Sequence, residues 1–397
     1  MLRIFLLALL VTSSNVYSEL MVEKKTFSAD NFTTYGGKSI AQINVGWESY
    51  GTLNEQKNNV ILITHYFTGS SHAAGKYHAS DASPGYWDAI IGPGKAIDTN
   101  RFFVISVDSL VNLGVHDPNV ITTGPASIDP ASGKPYGLTF PVVTIRDFVN
   151  VQKMVLGSLG IDELYAVIGP SMGSMQAIDW AVAYPDKVKR LVSVIGSGQS
   201  DAWTTAFLEH WATPIKLDTN WRQGNYFDSQ APIAGLTHAL MLITQNALSP
   251  AFFNQVGKQQ LAYQPLEKGP LDNILHDHSI VKWLKQRAQS RANLMDANHL
   301  LYLVRACQLF IAGHNGDLAS AVKNIQAPTL FLPATKDLLL MPYHATNAHT
   351  LLQAANKSSQ LSMLDGPLGH LEGVAGIAGH AELIRHFLTE PQGDKNE

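Results

Sequence analysis

Residues 164–173 have the sequence Leu-Tyr-Ala-Val-Ile-Gly-Pro-Ser-Met-Gly, and this stretch decides the fold. Its first half, Leu164–Ile168, is a short apolar run that predicts a strand buried on both faces of a sheet. The second half is a G-x-S-x-G pentapeptide with Ser171 at its centre, and a helical pattern follows it. Strand, sharp turn and helix in this order are typical of a nucleophile elbow, which holds the serine at the helix N-terminus. A plain strand–helix turn is the alternative interpretation.

Short apolar runs alternate with longer helical patterns along the rest of the chain, which is typical of a parallel sheet wound with crossover helices. The other strands are predicted at Asn59–Thr64, Phe102–Val107, Arg190–Ile195, Thr329–Pro333 and, as a weaker edge strand, Gln360–Leu364. From about Gly198 to Gly316 the alternation stops and only helices are predicted. We therefore predict an α/β-hydrolase fold with a mostly parallel central sheet and helices on both faces. Its core comprises residues 19–198 and 317–397, and residues 199–316 form an inserted helical lid.

Two partners are needed to activate Ser171, because a serine is a poor nucleophile until a base removes its proton. In this fold the acid and then the base follow the nucleophile along the chain, each just after a strand. Asp337 and His370 lie in the loops that leave the last two predicted strands. Asp365 is a competing carboxylate, but its place shortly before His370 suggests that it caps a turn. The sequence thus predicts a triad in which Asp337 orients His370.

Acyl chemistry also needs hydrogen-bond donors for the oxyanion. We expect one from the backbone N–H of Met172, directly after the nucleophile. The second is expected from the loop after the strand Asn59–Thr64, where the amide of Phe67 is the best placed. In the same loop His65 is expected to brace the backbone and not to act as a base.

The composition excludes several classes of protein. The chain has 397 residues, of which 15% are charged, and a formal net charge of -4, with no basic stripe or arm. Nucleic acid is therefore not an expected partner. The single cysteine, Cys307, excludes an internal disulfide and a cysteine-based metal site. Neither a metal nor a cofactor is expected, because no recognisable metal-ligand spacing occurs.

The N-terminus predicts export. Arg3 precedes an apolar run, Ile4–Val11, and a small residue, Ser18, marks a cleavage position. This pattern is typical of a secretory signal peptide at residues 1–18, which places the mature protein in the periplasm or outside the cell. The apolar run is too short for stable membrane insertion. A buried N-terminal strand or helix is the alternative interpretation.

Several motifs resemble the homoserine O-acetyltransferase family of α/β-hydrolase-fold enzymes over nearly the whole mature chain. The motifs that carry the resemblance are His65–Gly69, Gly92–Arg101, Thr123–Pro125, Gly133–Pro141, Thr144–Asp147, Ser171–Ala177 and Asp296–Asn298, together with Asp337. The resemblance implies the same triad of Ser171, Asp337 and His370. It also implies a homodimer and a substrate-binding role for Tyr226, which matches a pocket tyrosine of the family.

Two positions depart from this family. Its members carry a lid arginine that grips the carboxylate of the amino acid, and Ala212 occupies that position here. They also follow the catalytic histidine with an aspartate that binds the substrate's ammonium group, whereas His370 is followed by Leu371. Leaving the charges of an amino acid unpaired in a closed pocket costs several kcal/mol. These departures argue against homoserine as the substrate.

The sequence therefore favours an exported serine esterase or related acyl hydrolase that takes a small-molecule ester or acyl donor and forms an acyl-enzyme. The first alternative is an O-acyltransferase that moves an acyl group to an alcohol acceptor, homoserine included. A carboxylate-binding arginine elsewhere in the lid would favour it, and Arg222, Arg287 and Arg291 are the candidates. The second alternative is an inactive binding protein on the same fold.

Overall fold

The structure, a computed structural model, describes residues 20–314 and 316–390, so the predicted signal peptide lies outside the described residues. Within these ranges the centre of the fold is an eight-stranded sheet with the strand order β1-β2-β6-β3-β9-β10-β11-β12. Its strands are β1 (Lys25–Thr33), β2 (Ser39–Tyr50), β3 (Val60–Ile63), β6 (Phe103–Val107), β9 (Ala166–Pro170), β10 (Leu191–Val194), β11 (Thr329–Leu332) and β12 (Ser359–Leu361). Two small sheets pair β4 (Ile91–Gly92) with β5 (Ile97–Asp98) and β7 (Ile128–Asp129) with β8 (Lys134–Pro135).

Strand direction divides the large sheet into two parts. β1 pairs antiparallel with β2, and β2 pairs antiparallel with β6. All the pairings from β6 across to β12 are parallel. The fold is thus an α/β-hydrolase fold with a mostly parallel sheet, as the sequence predicts.

Apolar side chains cover both faces of the parallel part. In β3, Val60 and Leu62 contribute to one buried apolar cluster, whereas Ile61 and Ile63 contribute to a second. Successive side chains of a strand point to opposite faces, so a strand buried on both sides must be apolar throughout. This explains why the parallel strands could be recognised as continuous apolar runs.

Helices flank the sheet and fill the connection between β10 and β11. They are α1 (Ile145–Ser158), α2 (Met172–Ala183), α3 (Ala202–Leu217), α4 (Ile233–Ala247), α5 (Pro250–Gln259), α6 (Lys268–Asp272), α7 (Ser279–Ala292), α8 (Ala297–Gln308), α9 (Leu318–Val322), α10 (Tyr343–Ala354) and α11 (Ala381–Thr389). Shorter 3-10 helices occur at Gly137–Thr139, Pro185–Lys187, Thr219–Gly224, Ala312–His314, Gly369–Gly373 and Ile377–His380. In the described ranges no helix has the length and apolarity that crossing a membrane would require.

Helices α3 to α8 lie in the stretch for which the sequence predicts a lid, and α9 follows it. α4 packs against both α3 and α7, and α3 also packs against α8. The six predicted parallel strands are all present, displaced by at most a few residues. The β1–β2 hairpin, by contrast, was not predicted from the sequence.

Candidate active site

The G-x-S-x-G turn joins β9 to α2, and its geometry explains the residue types. Ser171 has φ 59° and ψ -121°, a backbone conformation that non-glycine residues rarely adopt and that costs of order 1–3 kcal/mol. A Cβ atom on Gly169 would lie 2.1 Å from Thr64 Oγ1, and one on Gly173 would lie 2.1 Å from the Thr64 carbonyl oxygen. Only glycine fits at both positions. The stretch is therefore a nucleophile elbow and not a plain strand–helix turn.

Hydrogen bonds hold the elbow against the sheet. The amide of Ser171 donates to the Val194 carbonyl on β10 at 2.9 Å. The Thr64 hydroxyl, at the end of β3, donates to the Gly173 carbonyl at 2.7 Å. The nucleophile is thus fixed by strands on both sides of β9, which accounts for the persistence of its strained backbone.

The structure brings the three predicted triad residues together. His370 Nε2 lies 2.8 Å from Ser171 Oγ, and His370 Nδ1 lies 2.7 Å from Asp337 Oδ2. All three side chains are buried. A carboxylate only accepts hydrogen bonds, so the network assigns the imidazole proton to Nδ1 and leaves Nε2 free to accept from the serine. This is the arrangement that a general base requires.

Asp337 is itself held in place by the backbone. Its second oxygen, Oδ1, accepts hydrogen bonds from the amides of Leu339 and Leu340 at 2.8 and 3.0 Å. The competing carboxylate, Asp365, is exposed and accepts from the Thr335 hydroxyl at 2.9 Å. Asp365 therefore ties two loops together, and Asp337 is the carboxylate that orients His370.

The two expected oxyanion donors line the same cavity as Ser171. Met172 is the first residue of α2, where a backbone N–H has no acceptor within its own helix. Phe67 lies in the loop after β3, and both Phe67 and Met172 border the cavity beside Ser171. Their role as donors stays a prediction.

His65 braces the loop that carries Phe67. Its Nδ1 donates to the Tyr66 carbonyl at 2.8 Å, and its Nε2 accepts from the Ser109 amide at 3.0 Å. The ring is fully buried, and this burial lowers the pKa of His65. A neutral imidazole with both nitrogens engaged holds a backbone in position and does not act as a base.

The cavity at Ser171 has a volume of about 60 Å³ and is mostly apolar. Residues from the core and from the helical stretch share its walls: Tyr66, Phe67, Thr68, Met172, Met175, Thr204, Leu208, Trp211, Ile243, Ala247, Cys307, Leu339, Leu340, Leu371 and Val374, with Ser171 and His370. Trp211 meets the Phe67 ring edge-on, with 5.3 Å between ring centroids. Burial raises the pKa of the Cys307 thiol to about 12, so this thiol serves as an apolar wall group.

The three positions for which the family resemblance implies substrate-binding residues lie in different places. Leu371 borders the cavity directly beside His370. Ala212 is 2% exposed and packs in the main apolar cluster next to Trp211. Tyr226 is not among the residues that border the cavity; its hydroxyl donates to Asp296 Oδ2 at 2.7 Å and accepts from the Asn298 amide at 3.0 Å. A substrate contact for Tyr226 stays a prediction.

One polar network beside the cavity was missed from the sequence. The hydroxyl of Thr204, on the cavity wall, lies 3.2 Å from His344 Nε2, and His344 Nδ1 lies 3.3 Å from Ser197 Oγ. Burial lowers the pKa of His344, which bridges the start of α3 to α10. Isolated polar residues inside helical patterns carry no signal of such a contact.

The site as a whole can form and break an acyl-enzyme. It has a nucleophile, a base with an oriented proton, and the backbone amides of two residues that border the same mostly apolar cavity. Among residues 20–314 and 316–390, no group of three His, Cys, Asp or Glu side chains is arranged to hold a metal ion.

Comparisons with known proteins agree with the fold. The α/β hydrolase fold family matches residues 82–370. A homoserine O-acetyltransferase of Methanococcoides burtonii is 38% identical over 358 residues, 90% of this chain and 72% of the relative. One of Deferribacter desulfuricans is 34% identical and covers 91% and 93% of the two chains.

Two crystal structures are similar over almost the whole fold. Esterase E22 is 66% identical with a TM-score of 0.91, covering 93% of this chain and 100% of its own. The homoserine O-acetyltransferase of Bacillus anthracis is 36% identical with a TM-score of 0.89, covering 94% and 98%. The chain therefore belongs to the homoserine O-acetyltransferase family of α/β-hydrolase-fold enzymes, whose members resembling it are acyltransferases and esterases.

Proposed function

We propose that the protein is an exported serine esterase that hydrolyses small esters through Ser171, His370 and Asp337. The observation that carries this proposal is the apolar wall beside the base, where Leu371 borders the cavity at the position for which the family resemblance implies an aspartate. The similarity to esterase E22 supports the same assignment.

In the proposed mechanism, Ser171 Oγ attacks the ester carbonyl while its proton passes to His370 Nε2, 2.8 Å away. Asp337 stabilises the imidazolium that forms. The amides of Met172 and Phe67 donate to the oxyanion. The imidazolium then protonates the leaving alcohol, and the C–O bond to that alcohol breaks. Water attacks the acyl-enzyme with His370 again as the base, which releases the acid and restores Ser171.

Hydrolysis is favoured over transfer to homoserine because an amino acid brings two charges. Neither Leu371 nor Ala212 can pair with them, and desolvating an unpaired charge costs several kcal/mol. A neutral ester has no such cost, and its acyl group is compatible with the apolar walls. The buried hydrogen-bonded triad argues against an inactive binding protein.

O-acyl transfer to an alcohol acceptor is the second candidate. The homoserine O-acetyltransferase relatives favour it, since they cover most of the chain. Of the three lid arginines that could bind a substrate carboxylate, Arg222 and Arg287 are exposed and only Arg291 is half-buried.

The decisive experiment compares the two reactions in one preparation. We expect measurable hydrolysis of p-nitrophenyl acetate and butyrate, and no CoA release from acetyl-CoA above background when homoserine is added. Efficient homoserine-dependent CoA release by the unmodified enzyme would replace the esterase assignment with the transferase. Labelling of Ser171 by a fluorophosphonate would exclude the inactive binding protein.

Export and dimerisation are further parts of the proposal. Export rests on Arg3, Ile4–Val11 and Ser18, and the mature protein from its native host should begin near Glu19. An intact Met1 on that protein would contradict it. A homodimer follows from the family resemblance, and exposed apolar side chains in the lid region support it: Leu217, Leu266, Leu271, Ile274 and Leu275. Light scattering of the purified protein measures the mass directly.

A further inference from the structure

Arg291 is a half-buried cation near the C-terminus of α7 that has no carboxylate partner among the described residues. Its Nη1 donates to the hydroxyl of Thr244 on α4 at 3.1 Å. That hydroxyl donates its own proton to the Leu240 carbonyl at 2.7 Å, so the partner of Arg291 is a neutral group and not an anion. A guanidinium has five N–H donors. Most of those of Arg291 therefore remain available to a ligand.

The surroundings of Arg291 disfavour its charge. Burial lowers the pKa of the guanidinium. The nearby Tyr66 opposes this shift, whereas the charge of Arg287, four residues earlier on the same helix, adds to it. The C-terminus of α7 carries a partial negative charge that attracts a cation, but such an interaction is weak compared with the penalty for burying an unpaired ion. A bound anion at this position would pair with the positive charge of Arg291 and offset the cost of burying it.

Arg291 lies close to the wall of the Ser171 cavity. Its partner Thr244 directly follows Ile243 and lies one turn before Ala247, and both of these residues border the cavity. Tyr66, another wall residue, is also near: burial raises the pKa of the Tyr66 hydroxyl, and the charge of Arg291 opposes that rise. Arg291 thus lies beside the part of the wall formed by α4 and Tyr66.

We propose that Arg291 binds the carboxylate of an anionic ester while Ser171 attacks the ester bond. The substrate class is then a half-ester of a dicarboxylic acid or an acylated hydroxy acid, with its uncharged part in the apolar cavity. This inference rests on the proposed esterase function and narrows its substrate. It places the carboxylate-binding cation on α7 and not at Ala212. Because Leu371 still offers no partner for an ammonium group, the anionic substrate is not an amino acid.

Two pairs of esters test this inference and locate the carboxylate. The pair 4-acetoxybenzoate and methyl 4-acetoxybenzoate carries or lacks a charge on the alcohol side. In the pair p-nitrophenyl hemisuccinate and p-nitrophenyl methyl succinate, the first ester carries a charge on the acyl side and the second does not. For each pair, the measured quantity is kcat/KM for the anionic ester divided by kcat/KM for the neutral ester. In at least one pair, Arg291→Gln is expected to lower this ratio by on the order of tenfold or more, mainly through a higher KM for the anionic ester. Arg291→Lys should restore part of the ratio.

Arg287→Gln is the matched control, because it removes the same charge from an exposed site where the guanidinium lies over the Trp283 ring. Its ratios should stay within about twofold of wild type, since exposed charges are screened by salt. Equal effects of the two glutamine variants, or unchanged ratios in both, would overturn the role of Arg291. In that case hydrolysis of the neutral esters would leave the proposed function intact, whereas no hydrolysis of any ester would refute that function itself.

A measurement on the unmodified enzyme covers the case in which Arg291→Gln does not fold. If the carboxylate binds on the alcohol side, 4-hydroxybenzoate should inhibit hydrolysis of p-nitrophenyl acetate competitively, and more strongly than its methyl ester. If it binds on the acyl side, monomethyl succinate should inhibit more strongly than dimethyl succinate. Equal inhibition within both pairs contradicts the inference.

Discussion

Replacing Trp211 with alanine is expected to shift the preference of the esterase from short to longer acyl groups. The cavity at Ser171 has a volume of about 60 Å³, and Trp211 borders it while packing edge-on against Phe67. This limited apolar space suits short acyl groups such as acetyl and butanoyl. Removing the indole opens the wall behind them.

The size of the shift follows from the burial of methylene groups. An octanoyl chain has four more methylenes than a butanoyl chain, and each is worth about 0.8 kcal/mol when buried. Full burial would give about 3 kcal/mol, or on the order of 100-fold in the ratio of kcat/KM for octanoate to that for butyrate. The variant should also lose about 3–5 kcal/mol of stability, because Trp211 is 2% exposed and its Nε1 donates to Asn246 Oδ1 at 2.9 Å.

The assay is the hydrolysis of p-nitrophenyl acetate, butyrate and octanoate by each purified variant, with folding checked by circular dichroism. Trp203→Ala is the control, because Trp203 lies on the same helix and is 59% exposed. Its chain-length profile should match that of the wild type. A folded Trp211→Ala variant with an unchanged profile would refute the assignment of this wall to the acyl group.

Three further predictions concern the base, the wall and the core. Ser171→Ala, His370→Ala and Asp337→Asn should each lower kcat by about 10³-fold or more with the thermal unfolding midpoint preserved, and wild-type rates in His370→Ala would mean that another residue is the base. Leu371→Asp should lower kcat/KM for neutral p-nitrophenyl esters by about tenfold or more, because it places a charge in an apolar wall; an unchanged value would show that this wall does not contact the ester. Burial raises the pKa of Glu48, but contacts with His72, Lys24 and Tyr77 outweigh it and lower the value to about 2. Since the folded pKa lies below the unfolded value of 4.5, Glu48 stabilises the fold above pH 4.5 by about 3 kcal/mol, and this contribution is lost as the pH falls towards 2. Urea unfolding of Glu48→Gln and wild type across this range measures it, and equal slopes with pH would contradict it.

The parallel half of the sheet could be predicted from the sequence because burial on both faces demands continuous apolar runs. The β1–β2 hairpin has no such run. From Lys25 to Asp30 the side chains of β1 alternate between half-buried and exposed, so the strand lacks a strong apolar pattern. Its position at the sheet edge depends on pairing with β2, which is a tertiary contact.

The triad positions were predictable for a similar reason. Ser171, Asp337 and His370 each follow a parallel strand, and the carboxyl ends of such strands meet at one edge of the sheet. The cavity walls were not predictable, because they depend on how the lid helices pack on the core. Trp211 and Ile243 border the cavity at Ser171 only through this packing, and their spacing within their own helices does not reveal it.

The burial of α2 has a consequence for how the enzyme loses its activity on heating. Its residues from Met172 to Val182 are all buried, so its backbone amides should exchange with solvent only when the whole domain unfolds. Ser171 is anchored to this most protected element, whereas Trp211 and Ile243 belong to helices outside the sheet layer. If activity disappears at a lower temperature than the hydrogen-exchange protection of the α2 amides, the lid helices have detached from a core that is still folded.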